Sequence, residues 1–228
     1  MAQLTATELA QYFDHTLLRT NATDEEFREL CDEAREYGFK MVAINPYPVE
    51  KCKEMLQGTD VHVGAAIGFP LGQTTIETKV FETTDALENG ADEIDYVVNQ
   101  NRIKAGDYAY IQDEMEQIVS ICRKHGATSK VIFENCYLTD DEKIRLCGIA
   151  NQVGPDFIKT ATGFGTGGAA LDDVKLMRKH ADRAIKVKAS GGVRTLHQAL
   201  EMIAAGVERI GSTSSVAIMD EFNKRNDS

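Results

Sequence analysis

Short apolar runs alternate along this chain with longer stretches in which apolar residues recur every three or four positions. The longer stretches predict amphipathic helices, and the short runs predict strands. The runs lack a strict alternation of apolar and polar residues, which is typical of a parallel sheet buried on both faces. Eight strands are predicted in this way, at residues 13–16, 41–44, 63–67, 94–98, 131–134, 157–160, 185–188 and 209–211.

The predicted helices carry clear start and stop signals. Thr23 with Glu26, and Thr139 with Glu142, have the spacing of a capping box, in which each side chain binds the backbone of the other residue. Glycine readily adopts the left-handed conformation that ends a helix. It precedes five of the predicted strands, at Gly38, Gly90, Gly126, Gly154 and Gly206.

Eight strand–helix units in 228 residues match the period of a compact barrel. We therefore expect an α/β fold, a single-domain (β/α)8 TIM barrel that spans residues 1–228. An open, doubly wound sheet is the alternative, because local patterns do not show whether a sheet closes. The first strand is not followed by Gly-x-Gly-x-x-Gly, which argues against the dinucleotide-binding form of that alternative.

Composition narrows the range of partners. The formal net charge of −11 argues against a nucleic-acid-binding surface, although a basic pocket for a phosphorylated ligand is compatible with an acidic exterior. The first residues do not resemble a signal peptide, and no apolar run approaches the roughly 20 residues of a membrane span. Five scattered cysteines without a C-x-x-C pair indicate reduced thiols. We expect a cytoplasmic protein that binds neither nucleic acid nor membrane.

Two lysines stand where predicted strands end and glycine-rich turns begin. Lys159 precedes TATG, and Lys188 precedes ASGG. The carboxyl ends of barrel strands carry the active site, and lysine is rarely buried unless it is paired or functional. Burial and a neighbouring ammonium would lower the pKa of Lys159, as imine formation with a carbonyl requires. The alternative is that Lys159 is one half of a buried salt bridge.

Further polar residues lie at the same predicted edge. Asp95 is suited to proton transfer through water, because direct contact with Lys159 would oppose the lowering of the pKa of that lysine. The turns after the seventh and eighth strands are glycine-rich and can form an anion nest, the usual phosphate site of such barrels. Two tight turns without a ligand are the alternative. The candidates at these ends include Asp14, Thr16, Gly191, Gly192, Arg194, Gly211, Thr213 and Ser214.

Several strings of sequence resemble one known family. FIKTATGFG at 157–165 and VKASGGVR at 187–194 are similar to motifs of the deoxyribose-phosphate aldolases, a family of class I aldolases. DHTLL at 14–18, EIDYVVN at 93–99 and RIG at 209–211 extend the resemblance over essentially the whole chain.

The resemblance implies reversible cleavage of 2-deoxy-D-ribose 5-phosphate to D-glyceraldehyde 3-phosphate and acetaldehyde. It also implies that Lys159 is the Schiff-base lysine, that Lys188 lowers its pKa, and that Asp95 donates and accepts protons. We expect a phosphosugar substrate and a homo-oligomer, either a dimer or a tetramer. We expect no metal and no organic cofactor. The residues that the resemblance places around substrate and phosphate are Thr162, Gly163, Gly191, Gly192, Gly211, Thr213 and Ser214.

Three other functions stay open at this point. The chain could be another Schiff-base aldolase that acts on a different phosphosugar. A ketose phosphate isomerase or epimerase would use carboxylate and histidine bases in place of paired lysines. A non-catalytic phosphosugar-binding protein would have no need of Lys159, Lys188 and Asp95 together.

Overall fold

The predicted strands form a closed parallel barrel. In the computed structural model, which describes residues 4–226, each strand pairs with the next and the eighth pairs with the first. The predicted (β/α)8 barrel is confirmed, and the open doubly wound sheet is excluded. The strands are β1 (Phe13–Leu17), β2 (Met41–Ile44), β3 (His62–Ile67), β4 (Glu93–Val97), β5 (Thr128–Ile132), β6 (Phe157–Lys159), β7 (Lys186–Ser190) and β8 (Arg209–Ser212).

The helices lie outside the barrel and follow the predicted signals. Both predicted capping boxes are confirmed, at Thr23 with Glu26 and at Thr139 with Glu142. No helix within residues 4–226 is both long and apolar enough to cross a membrane. The helices are α1 (Ala6–Ala10), α2 (Asp24–Tyr37), α3 (Val49–Met55), α4 (Ile76–Glu88), α5 (Gln100–Lys104), α6 (Tyr108–His125), α7 (Asp140–Val153), α8 (Leu171–His180), α9 (Leu196–Ala204) and α10 (Ser215–Asn226).

The two faces of the barrel strands differ in chemistry. Outward residues such as Val42, Ile94 and Val187 belong to one continuous apolar core with the helices. Successive side chains alternate between the faces of a strand, so the residues between them point into the barrel, and several of these are charged. Lys159 and Lys188 are partners in register across β6 and β7. The alternation separates an apolar shell from a polar interior.

Small residues on the inward face make room for the long charged side chains. A Cβ atom at Gly211 would lie 2.4 Å from Oγ of Ser190 and 3.3 Å from Cε of Lys188. A Cβ atom at Gly64 would lie 2.4 Å from Sδ of Met41. Non-bonded carbon atoms normally stay about 3.5 Å or more apart. A larger residue at Gly211 would therefore displace Ser190 and crowd Lys188.

The fifth strand differs from the prediction. β5 begins at Thr128 and ends at Ile132, whereas the apolar pattern placed it at 131–134. Its first residues are polar and so gave no apolar signal, although Lys130 is fully buried. The strand ends early because Glu134 has a left-handed backbone, with a φ of +56°, that an extended strand does not contain.

Two glycines provide a matched test of the helix signals. Gly38 ends α2 with a φ of +68°, Gly148 lies within α7, and neither has a heavy atom within 4 Å of the place where a Cβ would lie. We predict that Gly38→Ala lowers the free energy of unfolding by about 1 kcal/mol, because a side chain disfavours the left-handed conformation. Gly148→Ala should raise it by about 0.5–1 kcal/mol. Chemical denaturation measures both changes, and a change of the same sign in both variants would contradict this account.

Candidate active site

Three charged side chains meet inside the barrel, where Lys159 ends β6 and where Asp95 and Lys188 lie at the centres of β4 and β7. Oδ2 of Asp95 lies 2.7 Å from Nζ of Lys159 and 2.7 Å from Nζ of Lys188. All three residues are buried, with exposed fractions of 3%, 4% and 0% for Asp95, Lys159 and Lys188. The structure thus brings the three predicted catalytic residues together. The contacts of Asp95 are direct, whereas the sequence led us to expect a water between Asp95 and Lys159.

A closed ring of buried charges adjoins Lys159. Each of its three carboxylates contacts two of its three cations, so the signs alternate around the ring. Nζ of Lys130 lies 2.6 Å from Glu93 and 2.6 Å from Asp95, and Arg209 lies 2.6 Å from Asp14. In order, the ring consists of Asp14, Lys188, Asp95, Lys130, Glu93 and Arg209.

Lys159 is an additional cation beside a ring whose charges already cancel. Burial lowers the pKa of Lys159 to about 8; Asp95 opposes this shift, and the charges of Lys188 and Lys130 add to it. Burial alone would raise the pKa of Asp95, but Lys130, Lys159 and Lys188 hold it well below its ordinary value. A larger share of Lys159 is therefore free amine at neutral pH than of an ordinary lysine. The site therefore contains a carboxylate and a lysine that can act as a nucleophile.

Sequence reasoning missed several members of this site. Glu93 and Arg209 are the first residues of β4 and β8, and Lys130 lies at the centre of β5, so the predicted active-site edge gave no reason to search there. Residues two positions apart on a strand point to the same face, and this spacing could have found them. Glu93 is two residues before Asp95, so both point into the barrel. Ser190 was also missed; its buried hydroxyl has no hydrogen-bond partner among the described residues, and it lines the cavity above the lysines.

A cavity of about 270 Å³ opens above Lys159 and Lys188. Two predicted substrate residues lie outside its wall: Asp14 belongs to the charge ring, and the backbone N–H of Ser214 donates to Oγ of Ser212 at 2.9 Å. The cavity therefore gives no support to these two as substrate contacts. The predicted residues that do line it are Thr16, Thr162, Gly163, Gly191, Gly192, Arg194, Gly211 and Thr213.

The glycines of this wall let two loops approach each other closely. Gly191 and Gly192 have φ values of +90° and +84°, in the region that favours glycine. A Cβ at Gly168 would lie 2.2 Å from the carbonyl oxygen of Gly191, so the loop after β6 packs directly on the turn after β7. Backbone N–H groups in turns of this kind can form a nest for an anion.

Comparison with known proteins places this chain in a family. A model of the DeoC/LacD family of aldolases matches residues 8–213. This match covers far more than half of the sequence, and the chain therefore belongs to that family. The resemblance noted in the sequence strings is confirmed.

Relatives and solved structures agree with this placement. The deoxyribose-phosphate aldolase of Lactobacillus acidophilus is 53% identical over 221 residues, which cover 97% of this chain and 93% of that protein. The deoxyribose-phosphate aldolase of Thermococcus gammatolerans is 52% identical over 215 residues, covering 93% and 96%. A tetrameric structure of the deoxyribose phosphate aldolase of Aeropyrum pernix has a TM-score of 0.90 at 32% identity, covering 97% of this chain and 93% of that chain.

The electrostatic role of Lys188 can be tested by its effect on Lys159. Lys188→Leu removes a cation that lowers the pKa of Lys159. The protonated form of Lys159 is then more stable, and its pKa rises. We predict that the rate of imine formation rises with pH to a midpoint near 8 in the parent and reaches its midpoint at a higher pH in this variant. Lys188→Arg retains the charge and should leave the midpoint nearly unchanged.

Borohydride trapping at a series of pH values measures both variants. A cooperative thermal melt must accompany each profile, because Lys188→Leu leaves Asp14 and Asp95 each with one ring cation fewer. If the midpoint of Lys188→Leu matches that of the parent, then Lys188 does not set the pKa of Lys159.

Proposed function

We propose that this chain is a class I aldolase that reversibly cleaves 2-deoxy-D-ribose 5-phosphate to D-glyceraldehyde 3-phosphate and acetaldehyde. The observation that carries the proposal is a buried Lys159 that shares the carboxylate of Asp95 with buried Lys188. Its burial lowers the pKa of Lys159, as a nucleophilic amine requires. A protein that only binds phosphosugars gains nothing from an additional buried cation. The relatives named above support the choice of substrate.

The reaction begins with the free amine of Lys159. Its nitrogen attacks C1, the aldehyde carbon of the open-chain sugar, and loss of water gives an iminium ion. The iminium accepts electrons, so the bond between C2 and C3 breaks as the hydroxyl on C3 loses its proton. D-Glyceraldehyde 3-phosphate leaves, and an enamine remains on Lys159. Protonation of the enamine carbon and hydrolysis release acetaldehyde and regenerate the amine.

Asp95 and Lys188 donate and accept protons in this reaction. The ammonium of Lys188 can supply a proton to the leaving water, and the carboxylate of Asp95, 2.7 Å away, can accept and return protons. Asp95 is also within 2.7 Å of Nζ of Lys159, where the positive charge of the iminium develops. We propose that no metal or organic cofactor takes part, since the chain itself supplies the nucleophile, the acid and the base.

The phosphate group is assigned to the far side of the cavity. Arg194 lines this cavity and offers a guanidinium for charge-assisted hydrogen bonds. Gly191 and Gly192 offer backbone N–H groups from the turn that precedes α9, and Thr16 and Thr213 add hydroxyls. The unpartnered hydroxyl of Ser190 is placed to bind a hydroxyl of the sugar.

We also propose that the protein is a cytoplasmic homo-oligomer, a dimer or a tetramer. The tetrameric relative from Aeropyrum pernix supports an assembly of copies. Unpaired thiols at all five cysteines are typical of a reducing compartment. Size-exclusion chromatography with light scattering measures the number of copies.

Lys159→Leu tests the nucleophile. Acetaldehyde with borohydride should add an ethyl group to Lys159 of the parent and leave no adduct in the variant, as mass spectrometry of the peptides would detect. The variant should fold, because leucine suits a buried strand and Asp95 retains its ion pairs with Lys130 and Lys188. A thermal melt of the same sample checks folding. Turnover well above background in folded Lys159→Leu would contradict the assignment.

Gly192→Asp tests the phosphate site. A negative charge in the turn should raise KM for 2-deoxyribose 5-phosphate by about tenfold or more, equivalent to about 1.4 kcal/mol, with little effect on KM for 2-deoxyribose. The control is Gly192→Asn, which has the same size without the charge. Both residues tolerate the left-handed backbone, and no heavy atom lies within 4 Å of the place where the Cβ would be. Equal effects of Gly192→Asp on the two substrates would mean that the turn binds no phosphate.

A further inference from the structure

Glu134 holds an unusual backbone conformation next to the site. Among residues 4–226 it is the one residue other than glycine with a positive φ, and its φ and ψ are +56° and +60°. A left-handed conformation is disfavoured for glutamate, and it persists only where contacts with the surrounding structure stabilise it. Its side chain is 2% exposed. Glu134, directly after β5, thus combines a strained backbone with a buried carboxylate, and this combination requires a physical explanation.

Both oxygens of the Glu134 carboxylate bind one residue of the next strand end, and the thiol of Cys136 adds a weak contact to Oε1 at 4.0 Å. Oε1 accepts the backbone N–H of Thr162 at 3.1 Å, and Oε2 accepts the hydroxyl of Thr162. The oxygen of that hydroxyl in turn accepts the backbone N–H of Phe164 at 3.0 Å. Since the single hydroxyl proton of Thr162 is donated to Glu134, the carboxylate fixes the orientation of this side chain. These are charge-assisted hydrogen bonds, stronger than neutral ones.

Thr162 begins the loop that closes one side of the cavity, three positions after Lys159. A Cβ at Gly165 would lie 2.8 Å from Sγ of Cys136 and 3.2 Å from Cδ of Glu134. On its other side the same loop touches Gly191 of the proposed phosphate turn through Gly168. The loop thus lies between a wall formed by Glu134 and Cys136 and the turn after β7.

We propose that Glu134 is a positioning residue for substrate binding, which acts through Thr162 to hold the loop at 163–168 against the turn at Gly191 and Gly192. Both oxygens of the carboxylate are bound to Thr162, so Glu134 acts on the loop and not on the substrate itself. The left-handed backbone places the carboxylate where it reaches both donors of Thr162. The proposal rests on the aldolase function proposed above, because it concerns the phosphosugar site.

Two variants separate the carboxylate from the backbone strain. Glu134→Gly removes the side chain and accepts the left-handed backbone without cost, so it should fold. It should raise KM for 2-deoxyribose 5-phosphate by about tenfold or more, which corresponds to about 1.4 kcal/mol, the scale of one charge-assisted hydrogen bond. The kcat value should stay within about threefold of the parent, because the lysines and Asp95 are untouched. Glu134→Gln keeps one carbonyl acceptor for Thr162 and should show a smaller rise in KM.

Further measurements test whether the effect passes through Thr162. Thr162→Val should raise KM as Glu134→Gly does, and the double variant should show little further rise, because residues that act as one unit are not additive. Trapping of acetaldehyde on Lys159, which needs no phosphate contact, should be no slower than in the parent in the two Glu134 variants. The control is Glu82→Gln, whose carboxylate accepts the backbone N–H of Gly68 in a different loop at 2.7 Å; its KM should be parental.

Two results would overturn the proposal. Parental KM values in Glu134→Gly and Glu134→Gln would mean that the carboxylate does not position the loop. A parallel fall in melting temperature, kcat and acetaldehyde trapping, with KM unchanged, would mean that Glu134 serves stability alone. Failure of the aldolase function itself has a different signature, since the parent would then give no adduct on Lys159.

Discussion

The structure depends on a neutral ring of six charges inside the barrel. Asp14, Glu93 and Asp95 alternate with Lys130, Lys188 and Arg209, and every member contacts two ions of opposite sign. Removing charges from water is costly unless each is paired and hydrogen-bonded. The ring pairs each of its six members with two opposite charges, whereas a seventh charge can only share Asp95 with two cations that already contact it. Lys159 is that seventh charge, and it is therefore the lysine of the interior that loses its proton most easily.

The barrel provides what this ring requires. Register between neighbouring strands sets the lysines side by side on β6 and β7, and Asp95 beside Lys130 on β4 and β5. Small inward residues such as Gly211 leave space for the long side chains. The outward residues of the same strands pack in the apolar core, which fixes the strands and so the ring. When Lys159 becomes an iminium, its new charge forms beside Asp95, which is already ionised.

The sequence predicted those features that depend on local pattern. Strand ends followed by glycine-rich turns identified Lys159 and Lys188, and the strand count indicated the barrel. The sequence did not identify Lys130 as a site residue, because Lys130 precedes the apolar run of β5. Its inward direction follows from the pairing of β5 with β4. Asp14 is predicted to contact substrate; in the structure it forms ion pairs with Lys188 and Arg209, which the local pattern did not indicate. The carboxylate of Glu134 binds Thr162, 28 residues further along the chain, and no local signal in the sequence revealed this contact.

The central claim is that Lys159 is the lysine of this interior that loses its proton first. NMR of isotope-labelled lysine side chains, titrated with pH and assigned by comparison with Lys159→Leu, measures this directly in the free protein. The account predicts that Lys159 titrates near 8, while Lys130, whose pKa is raised by Asp95 and Glu93 against the effect of its burial, stays charged throughout. A Lys159 signal that titrates near 10.4, as in an exposed lysine, would contradict the account.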